Sequence, residues 1–544
     1  MPALIITPIL LLFLLIILIT LVIFVSIKKE NPSSLIAVLL ITISIIAIVR
    51  TFQILADIQI LAIYGGLVTL NYLITFYSAG IKYEDPATKI KEAMQNFENS
   101  GRKPYLVHYV IPVFNESGFI TRCIESILVA TEFIETISLA KVEIVVVNDA
   151  STDDTWEKLQ VFAQNPHIKL LNLKRNGGKK NALACGMYRG ENWRNAFSLF
   201  DKKYLRKPKK GDKEKIIECL NQVGCNPTNV DIFLHTDSDS EISKEFIYYQ
   251  VVSFSTHPNL GALSGHCDVW LDPNETPSFI TKMQVAWYST QFRIRKAAES
   301  SYGAVFCVSG PGAGFRANAV WHLLPSWVDD NFGGRIYRGA TDRKLTLLIL
   351  IDGWKVLYSE IAKVWTVVPD NLQSARSQWV RWKQNSWRML IPVWMHAWRE
   401  HPIIAFLTYS RTIISISAPF ILGYHLIIIL LGGFDKALIY LFGITMMGTL
   451  MGIGYVTFYA RNVKYAYLRP FMSLLSAFWG SVLTLDALFL TLQKSFTWRE
   501  TNTAKAKKGK YLYRWFVPNF ELRFMELILF IVIVILFIRY FYLV

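Results

Sequence analysis

Two blocks of long apolar segments enclose a stretch that contains none. Segments 4–26, 34–50 and 57–79 come first, and 412–431, 436–459 and 522–543 come last. Each is close to the ~20 mostly apolar residues that a bilayer-crossing helix needs. A further apolar segment, 470–493, carries Asp486, Ser473, Ser476, Ser481 and Thr484, which suit packing on protein more than on lipid. Between about 80 and 400 nothing is long and apolar enough to cross, which leaves roughly 320 residues for a domain with its own core. The expected organisation is therefore membrane helices over 1–80, a catalytic-sized domain over 81–375, amphipathic interface helices over 376–402, and a second membrane and interface region over 403–544. The chain is 52% hydrophobic with a mean hydropathy of +0.31, as such a membrane protein requires. The apolar run of 4–26 exceeds the ~7–15 residues of a signal peptide and no basic region precedes it, so it reads as a span.

The net charge of +16 is placed beside the apolar segments. Lys28 and Lys29 lie between spans, Arg461, Lys464 and Arg469 follow one, and KAKKGKYLYR (505–514) precedes the last. Such placement marks the cytoplasmic side and predicts a multi-pass cell-membrane protein, in contact with the lipid bilayer, whose large domain is cytoplasmic. If 470–493 crossed, the basic 494–514 loop would lie outside, so this segment is expected to dip in and return or to lie in the interface. KKYLRKPKKGDKEK (202–215) reads as a solvated loop, and no nucleic-acid partner is expected. The six cysteines fall in the large domain without a CxxC pair or histidines at zinc spacing, and read as thiols.

Within that domain strand-like and helix-like runs alternate. Strands are expected at 105–114, 142–151, 168–173, 231–240 and 260–270, with helical patterns following, among them a capped helix in STDDTWEKLQVFAQ. Continuous β-branched runs predict a mainly parallel sheet covered on both faces. Ligands of such sheets bind beyond the carboxyl ends of the strands. The residues there are Asn115 and Glu116, then Asp149, then NGGKK (176–180), then Asp237, Ser238 and Asp239. Asp-x-Asp after a strand places two carboxylates on one side, suited to a hard cation such as Mg²⁺ or Mn²⁺ that would neutralise a diphosphate. The adjacent lysines add point charges for phosphate oxygens. No GxxxxGK[ST] phosphate loop is present, which argues against a nucleoside triphosphatase.

Seven short motifs occur in order: IPVFNE (111–116), VVNDAS (146–151), GGKKNAL (177–183), TDSDS (236–240), VSGPGAGFR (308–316), GATDRKLT (339–346) and QWVRW (378–382). In these the chain resembles the family-2 glycosyltransferases of the GT-A fold, in particular the processive membrane synthases of the hyaluronan and chitin-oligosaccharide type. The resemblance implies an α/β GT-A cytoplasmic domain embedded between transmembrane helices. It implies that Pro112, Glu116, Asp149, Lys179, Asp237, Gln378 and Arg381 bind a UDP-sugar, that Asp237 and Asp239 hold Mg²⁺ or Mn²⁺, and that Asp342 is the general base. Ser309, Gly310, Pro311 and Trp382 would contact the growing polysaccharide acceptor. Arg381 can bind a pyrophosphate bidentately, and Trp382 offers an apolar face to a pyranose. Trp379, Trp387, Trp394 and Trp398 fit an interfacial amphipathic helix.

The implied function is an inverting, metal-dependent, processive transferase that makes a β-linked polysaccharide from UDP-GlcNAc, with or without UDP-glucuronate, and exports it. A chitin-type synthase using UDP-GlcNAc alone and a non-processive transferase acting on a lipid carrier are the alternatives. ATD stands where the family carries TED or GDD, and FTWRETN (496–502) matches a hyaluronan synthase segment only through Trp498. The basic insertion of 188–230 has no counterpart role.

Overall fold

The computed structural model describes residues 59–198, 218–225, 230–332, 335–336, 339–430, 440–450 and 465–492. The expected segments 4–26, 34–50 and 522–543, most of 436–459, and the basic runs 202–215 and 505–514 lie outside the described residues.

Strands β1 (Tyr105–Val113), β2 (Ala140–Asn148), β3 (Ile168–Asn172) and β4 (Ile232–His235) form where the apolar runs stand in the sequence. Side chains alternate across the sheet, so β1 sends Val110 to one face and Tyr109 and Ile111 to the other. On the first face Val110, Val145 and Val147 pack with Ala182, Leu183 and Met187 of α5 (Lys179–Met187). On the second, Ile111, Ile144 and Val146 pack with Ile120, Ile124 and Ile127 of α3 (Ile120–Thr136). The covering of both faces explains why these strands are apolar throughout. α6 (Phe246–Thr256) adds Phe246 and Val251 to the second core.

The sheet is mixed rather than mainly parallel. Its order is β3-β2-β1-β4-β7-β6-β10-β5. β1 to β4 pair in parallel, but β7 (Ala313–Arg316) runs antiparallel between β4 and β6 (Leu260–Val269). β10 (Lys355–Thr366) returns parallel to β6, with β5 (Ser240–Ile242) antiparallel on its edge. The two-residue strands β8 (Asn331–Phe332) and β9 (Arg335–Ile336) pair separately. The expected strand 231–240 is thus two strands, broken where the chain bends through Thr236–Asp239 to reach β10. The helix α4 (Thr155–Gln160) is short, and its flanking Asp154 makes no side-chain cap. Asp153 instead accepts from the Thr155 amide at 3.1 Å, while the Thr155 hydroxyl accepts from the Glu116 amide at 3.0 Å. The capping residues are used to pin the turn after β1.

A set of long helices stands against this domain. α1 (Gln59–Tyr77) packs on α12 (Pro402–Leu430), where Asn71 Nδ2 donates to Ser410 Oγ at 2.6 Å. Pro402–His425 and Ala466–Thr491 are long and apolar enough to cross a bilayer. α13 (Arg469–Leu492) is one unbroken helix, so the segment expected at 470–493 does not dip in and return. Its polar residues meet protein, as their composition implied: Asp486 pairs with Arg376 at 2.8 Å and Thr484 accepts from Lys383 at 2.6 Å. Both partners lie on α10 (Leu372–Arg388), which carries QWVRW. Trp379 and Trp387 of α10 likewise serve packing rather than an interfacial belt. Trp379 is buried against Trp287 and Trp479, and Trp387 donates to the Thr484 carbonyl at 3.0 Å. Of the remaining tryptophans in that run, Trp394 packs edge-on against Tyr409 and Trp398 is 65% exposed.

Candidate active site

Every site residue expected from the sequence lines one continuous cavity of about 2460 Å³. The residues arrive from seven places in the chain. Pro112 ends β1 and Glu116 follows it, Asp149 follows β2, Lys179 opens α5, and Asp237 and Asp239 follow β4. Ser309, Gly310 and Pro311 precede β7, Asp342 lies in the first turn of α9 (Thr341–Ile351), and Gln378, Arg381 and Trp382 lie on α10.

The turn after β3 explains the Asn-Gly-Gly sequence. Gly178 has φ of +83°, a conformation that a residue with a Cβ rarely adopts. Gly177 and Gly178 then donate successive amides to the two carboxylate oxygens of Asp149, at 2.7 and 2.8 Å. This holds the Asp149 carboxylate in place at the mouth of the α5 helix, and Asn176 Nδ2 donates to the Asp149 carbonyl at 3.2 Å.

Lys179 is the central cation. Its ammonium donates to Asp237 Oδ1 and lies 3.9 Å from Asp342 Oδ1. Burial acts to lower its pKa, but the charges of Asp237 and Asp342 outweigh burial and hold it above the usual lysine value. Asp342 is raised above the usual carboxylate range, first by burial. Lys179 acts against that shift, Asp237 adds to it, and the Gly310 amide, donating to Oδ2 at 3.0 Å, also acts against it. The loop that carries Gly310 is set by Thr236, whose hydroxyl donates to the Pro311 carbonyl. A Cβ on Gly310 would stand 2.8 Å from Lys179 Nζ and 3.2 Å from both Asp237 oxygens, so the loop approaches this pair only because position 310 is glycine.

Asp237 and Asp239 do not lie on a strand, so strand alternation is not what aligns them. Both nonetheless face the cavity, with Asp239 the more buried and its Oδ1 accepting from Ser240 Oγ at 3.2 Å and Thr366 Oγ1 at 3.4 Å. Two carboxylates offer hard oxygen donors of the kind that Mg²⁺ or Mn²⁺ takes. No group of three acidic, histidine or cysteine side chains forms a protein-only cage among the described residues. A cation here would fill its shell with phosphate oxygens and water, the usual mode for Mg²⁺.

On α10, Trp382 stacks on Trp287 with centroids 5.7 Å apart and planes 17° apart. The Gln378 carboxamide oxygen is buried without a hydrogen-bond partner among the described residues, although it lines the cavity. Two groups were not legible in the motifs. Lys296, in α8 (Arg295–Ser300), is 6% exposed and donates to Ser309 Oγ and, at 2.7 Å, to Ser264 Oγ, which fixes the Ser309 loop from below. Asp330, 6% exposed, joins Lys180 at 3.2 Å, Lys344 at 3.6 Å and Arg388. It ties the start of α5 to the end of α10. Neither sits in a recognisable pattern: each is an isolated charge whose partners lie far away in sequence.

Residues 109–190 match the family model described as Glycosyl transferase family 2. An N-acetylglucosaminyltransferase of Azorhizobium caulinodans is 27% identical over 285 residues, covering 52% of this chain and 60% of that protein. One of Rhizobium meliloti is 33% identical over 158 residues, covering 29% and 36%. A poly-beta-1,6-N-acetyl-D-glucosamine synthase of Staphylococcus aureus is 23% identical over 285 residues, covering 52% and 55%. The chain thus spans between about a third and three-fifths of the length of these relatives. Among solved structures, the mannosyltransferase PcManGT from Pyrobaculum calidifontis, in complex with GDP-Man and Mn²⁺, aligns at 15% identity and TM-score 0.42, covering 80% of this chain and 99% of that one. The matched stretch runs from β1 through α5 and supplies Pro112, Glu116, Asp149 and Lys179 to the cavity. Residues 109–190 are therefore similar to the family-2 glycosyltransferases, and they form one end of the mixed eight-stranded sheet.

Proposed function

We propose that this chain is an inverting, processive glycosyltransferase that builds a β-linked, GlcNAc-containing polysaccharide from UDP-sugars and passes it into the membrane. The observation that carries this reading is the continuity of the cavity. It runs from Glu116, Asp149 and Asp237 past Asp342 to a space walled by α1, α12 and α13. A transferase that releases each product needs no such extension, whereas a growing chain must occupy it. The names of the relatives in two bacterial groups favour GlcNAc as the donor sugar.

In the reaction, the acceptor hydroxyl attacks the donor's anomeric carbon on the face opposite the UDP leaving group, and its proton passes to Asp342. Asp342 is suited to this because burial raises its basicity while the Gly310 amide fixes one oxygen. Lys179 and Arg381 offer positive charge to the departing diphosphate. Asp149 and Glu116, held by backbone turns, would take the nucleoside. Trp382 and Trp287 give the acceptor sugar an aromatic platform. Asp237 and Asp239 would hold a divalent cation, which when bound neutralises the diphosphate. The catalytic domain would face the cytoplasm, where UDP-sugars are made.

The test is to supply purified protein with Mg²⁺ or Mn²⁺ and labelled UDP-GlcNAc, alone and with UDP-glucuronate, and to size the product. High-mass polymer from either mixture supports the reading. A single sugar on a lipid carrier makes the enzyme non-processive, and no transfer from either donor overturns it.

A further inference from the structure

Tyr288 ends α7 (Phe279–Tyr288) and lines the cavity beside Trp287 and Phe292, although it is only 4% exposed. Its ring packs against Phe292 with centroids 4.8 Å apart, against Trp287 at 5.6 Å and against Trp382 at 6.3 Å. The ring thus belongs to the second core, with Cys267 and Val364. The phenolic hydroxyl, by contrast, has no hydrogen-bond partner among the described residues. Burial first, and then Cys267, Asp239 and Asp237, hold the phenol well above the usual tyrosine range, with Arg381 acting against them. The group therefore stays a neutral O–H donor at physiological pH, in the field of two carboxylates and one guanidinium.

A buried hydroxyl without a partner costs free energy, and phenylalanine would fill the same apolar site without that cost. The surroundings say what the hydroxyl meets. Asp237, Asp239 and Arg381 are the groups to which the reading above gives the donor's diphosphate, and phosphate oxygens accept hydrogen bonds. The ring also touches Trp382, the residue placed at the acceptor sugar, so the hydroxyl lies toward the reacting end of the diphosphate. Resting on the transferase reading, we propose that Tyr288 is a further catalytic residue, whose hydroxyl donates a hydrogen bond to a β-phosphate oxygen of the donor. When the bond from the anomeric carbon to the diphosphate oxygen breaks, its electron pair stays on the diphosphate. A fixed O–H donor strengthens as that charge develops and needs no reorganisation. The phenol keeps its own proton, and the acceptor's proton still passes to Asp342.

Tyr288→Phe removes the hydroxyl and keeps the ring. Binding to detergent-purified full-length protein with Mn²⁺ is measured by calorimetry for UDP and by displacement of UDP for UMP, which lacks the β-phosphate. The variant is expected to bind UDP about tenfold more weakly, the worth of one hydrogen bond to a charged group, and UMP within about twofold of wild type. Initial rates with labelled UDP-GlcNAc should show kcat/KM lower by about 10²-fold, the scale of a lost donor to developing charge. The melting temperature without nucleotide should not fall, since no bond within the protein is lost, while the stabilisation given by UDP shrinks. A lower melting temperature with unchanged UDP affinity makes the hydroxyl structural and overturns the proposal. Equal losses for UDP and UMP move the contact to the nucleoside end and overturn it too, as does weaker UDP-GlcNAc binding with unchanged UDP binding, which moves it to the sugar. The expected loss of UDP over UMP in a protein that transfers no sugar would keep the contact and sink the transferase reading. Transfer at the same rate and with the same UDP affinity in both proteins would do the reverse.

Discussion

The Gly310 amide donates to Asp342 Oδ2 at 3.0 Å, which leaves Oδ1 turned toward Lys179 at 3.9 Å. Two segments separated by some thirty residues thereby share one carboxylate, with one oxygen fixed by backbone and the other facing the lysine. On the proposed mechanism, Asp342→Asn keeps the site's shape while removing the base. UDP should bind within about threefold of wild type, while transfer falls by ~10³-fold or more, on the scale of lost general-base catalysis. Equilibrium UDP binding and initial rates check it. Loss of both together would instead give Asp342 a structural role.

The same carboxylate sets a pH dependence. Burial raises the Asp342 pKa above the ordinary carboxylate value of ~3.9. A base works only when ionised, so kcat/KM is expected to fall as pH drops through that raised pKa. The acidic limb should therefore begin above the range of an ordinary aspartate. It should disappear from the residual rate of Asp342→Asn. A limb that persists unchanged in the variant belongs to another group.

Gly310→Ala tests the closeness of the loop. The added Cβ would stand 2.8 Å from Lys179 Nζ, inside any real carbon contact, so either the lysine or the loop must move. The backbone at 310 is not in the left-handed region, so the fold itself should tolerate alanine. Donor KM is expected to rise and kcat/KM to fall by roughly 10²-fold, the cost of misplacing reacting groups by about 1 Å, with the melting temperature little changed. A variant with wild-type kinetics would show that Lys179 does not need this position.

Much of this site is legible in the sequence. The acids and the Asn-Gly-Gly turn lie just past apolar strands, and strand ends in a layered sheet converge on one edge. The reach of α10 was legible only as a motif, since nothing local says that QWVRW folds back over that edge. What failed did so for physical reasons. β7 is a short, four-residue antiparallel strand and β10 a half-buried one paired irregularly with β6, and neither has the continuous apolar signature of β1, β2 and β4. By sequence α13 reads as too polar for a straight apolar helix, because its Asp486 and Thr484 are matched by Arg376 and Lys383 more than a hundred residues earlier. Lys296 and Asp330 were invisible for the same reason: a buried charge is explained only by partners that the sequence does not place nearby.

Trp382 and Trp287 make a second test, of processivity. Their rings stack at 5.7 Å, and Trp382 also lies 6.3 Å from Tyr288. Trp382→Ala removes the outer face of this platform, a contact worth ~0.5–1.5 kcal/mol beyond its buried area. A bound chain would dissociate more often between additions. Shorter polymer at a nearly unchanged rate of UDP release is the expected outcome, read by gel sizing beside a UDP assay. Equal chain length would remove Trp382 from the acceptor path.

Asp330 is expected to matter as much for the fold as any catalytic residue does for the rate. It meets Lys180, Lys344 and Arg388 in a buried setting. Burial alone would raise its pKa, but the three cations outweigh burial and hold it below the usual carboxylate range. Burial likewise pushes Lys180 down to about 8, with Asp330 acting against that shift. Asp330→Asn removes the anion and leaves the cations facing one another, which costs about 3–5 kcal/mol. For a domain of this size that is a fall of roughly 10 °C in melting temperature. Lys180→Met in the Asp330→Asn background removes one uncompensated charge and should restore part of the loss. Because Lys180 adjoins Lys179 and Arg388 shares α10 with Arg381, Asp330→Asn should also raise the donor KM at temperatures where the protein remains folded. A single variant that melts like wild type, or a double variant less stable than the single, would show that this cluster is not what joins the two halves of the site.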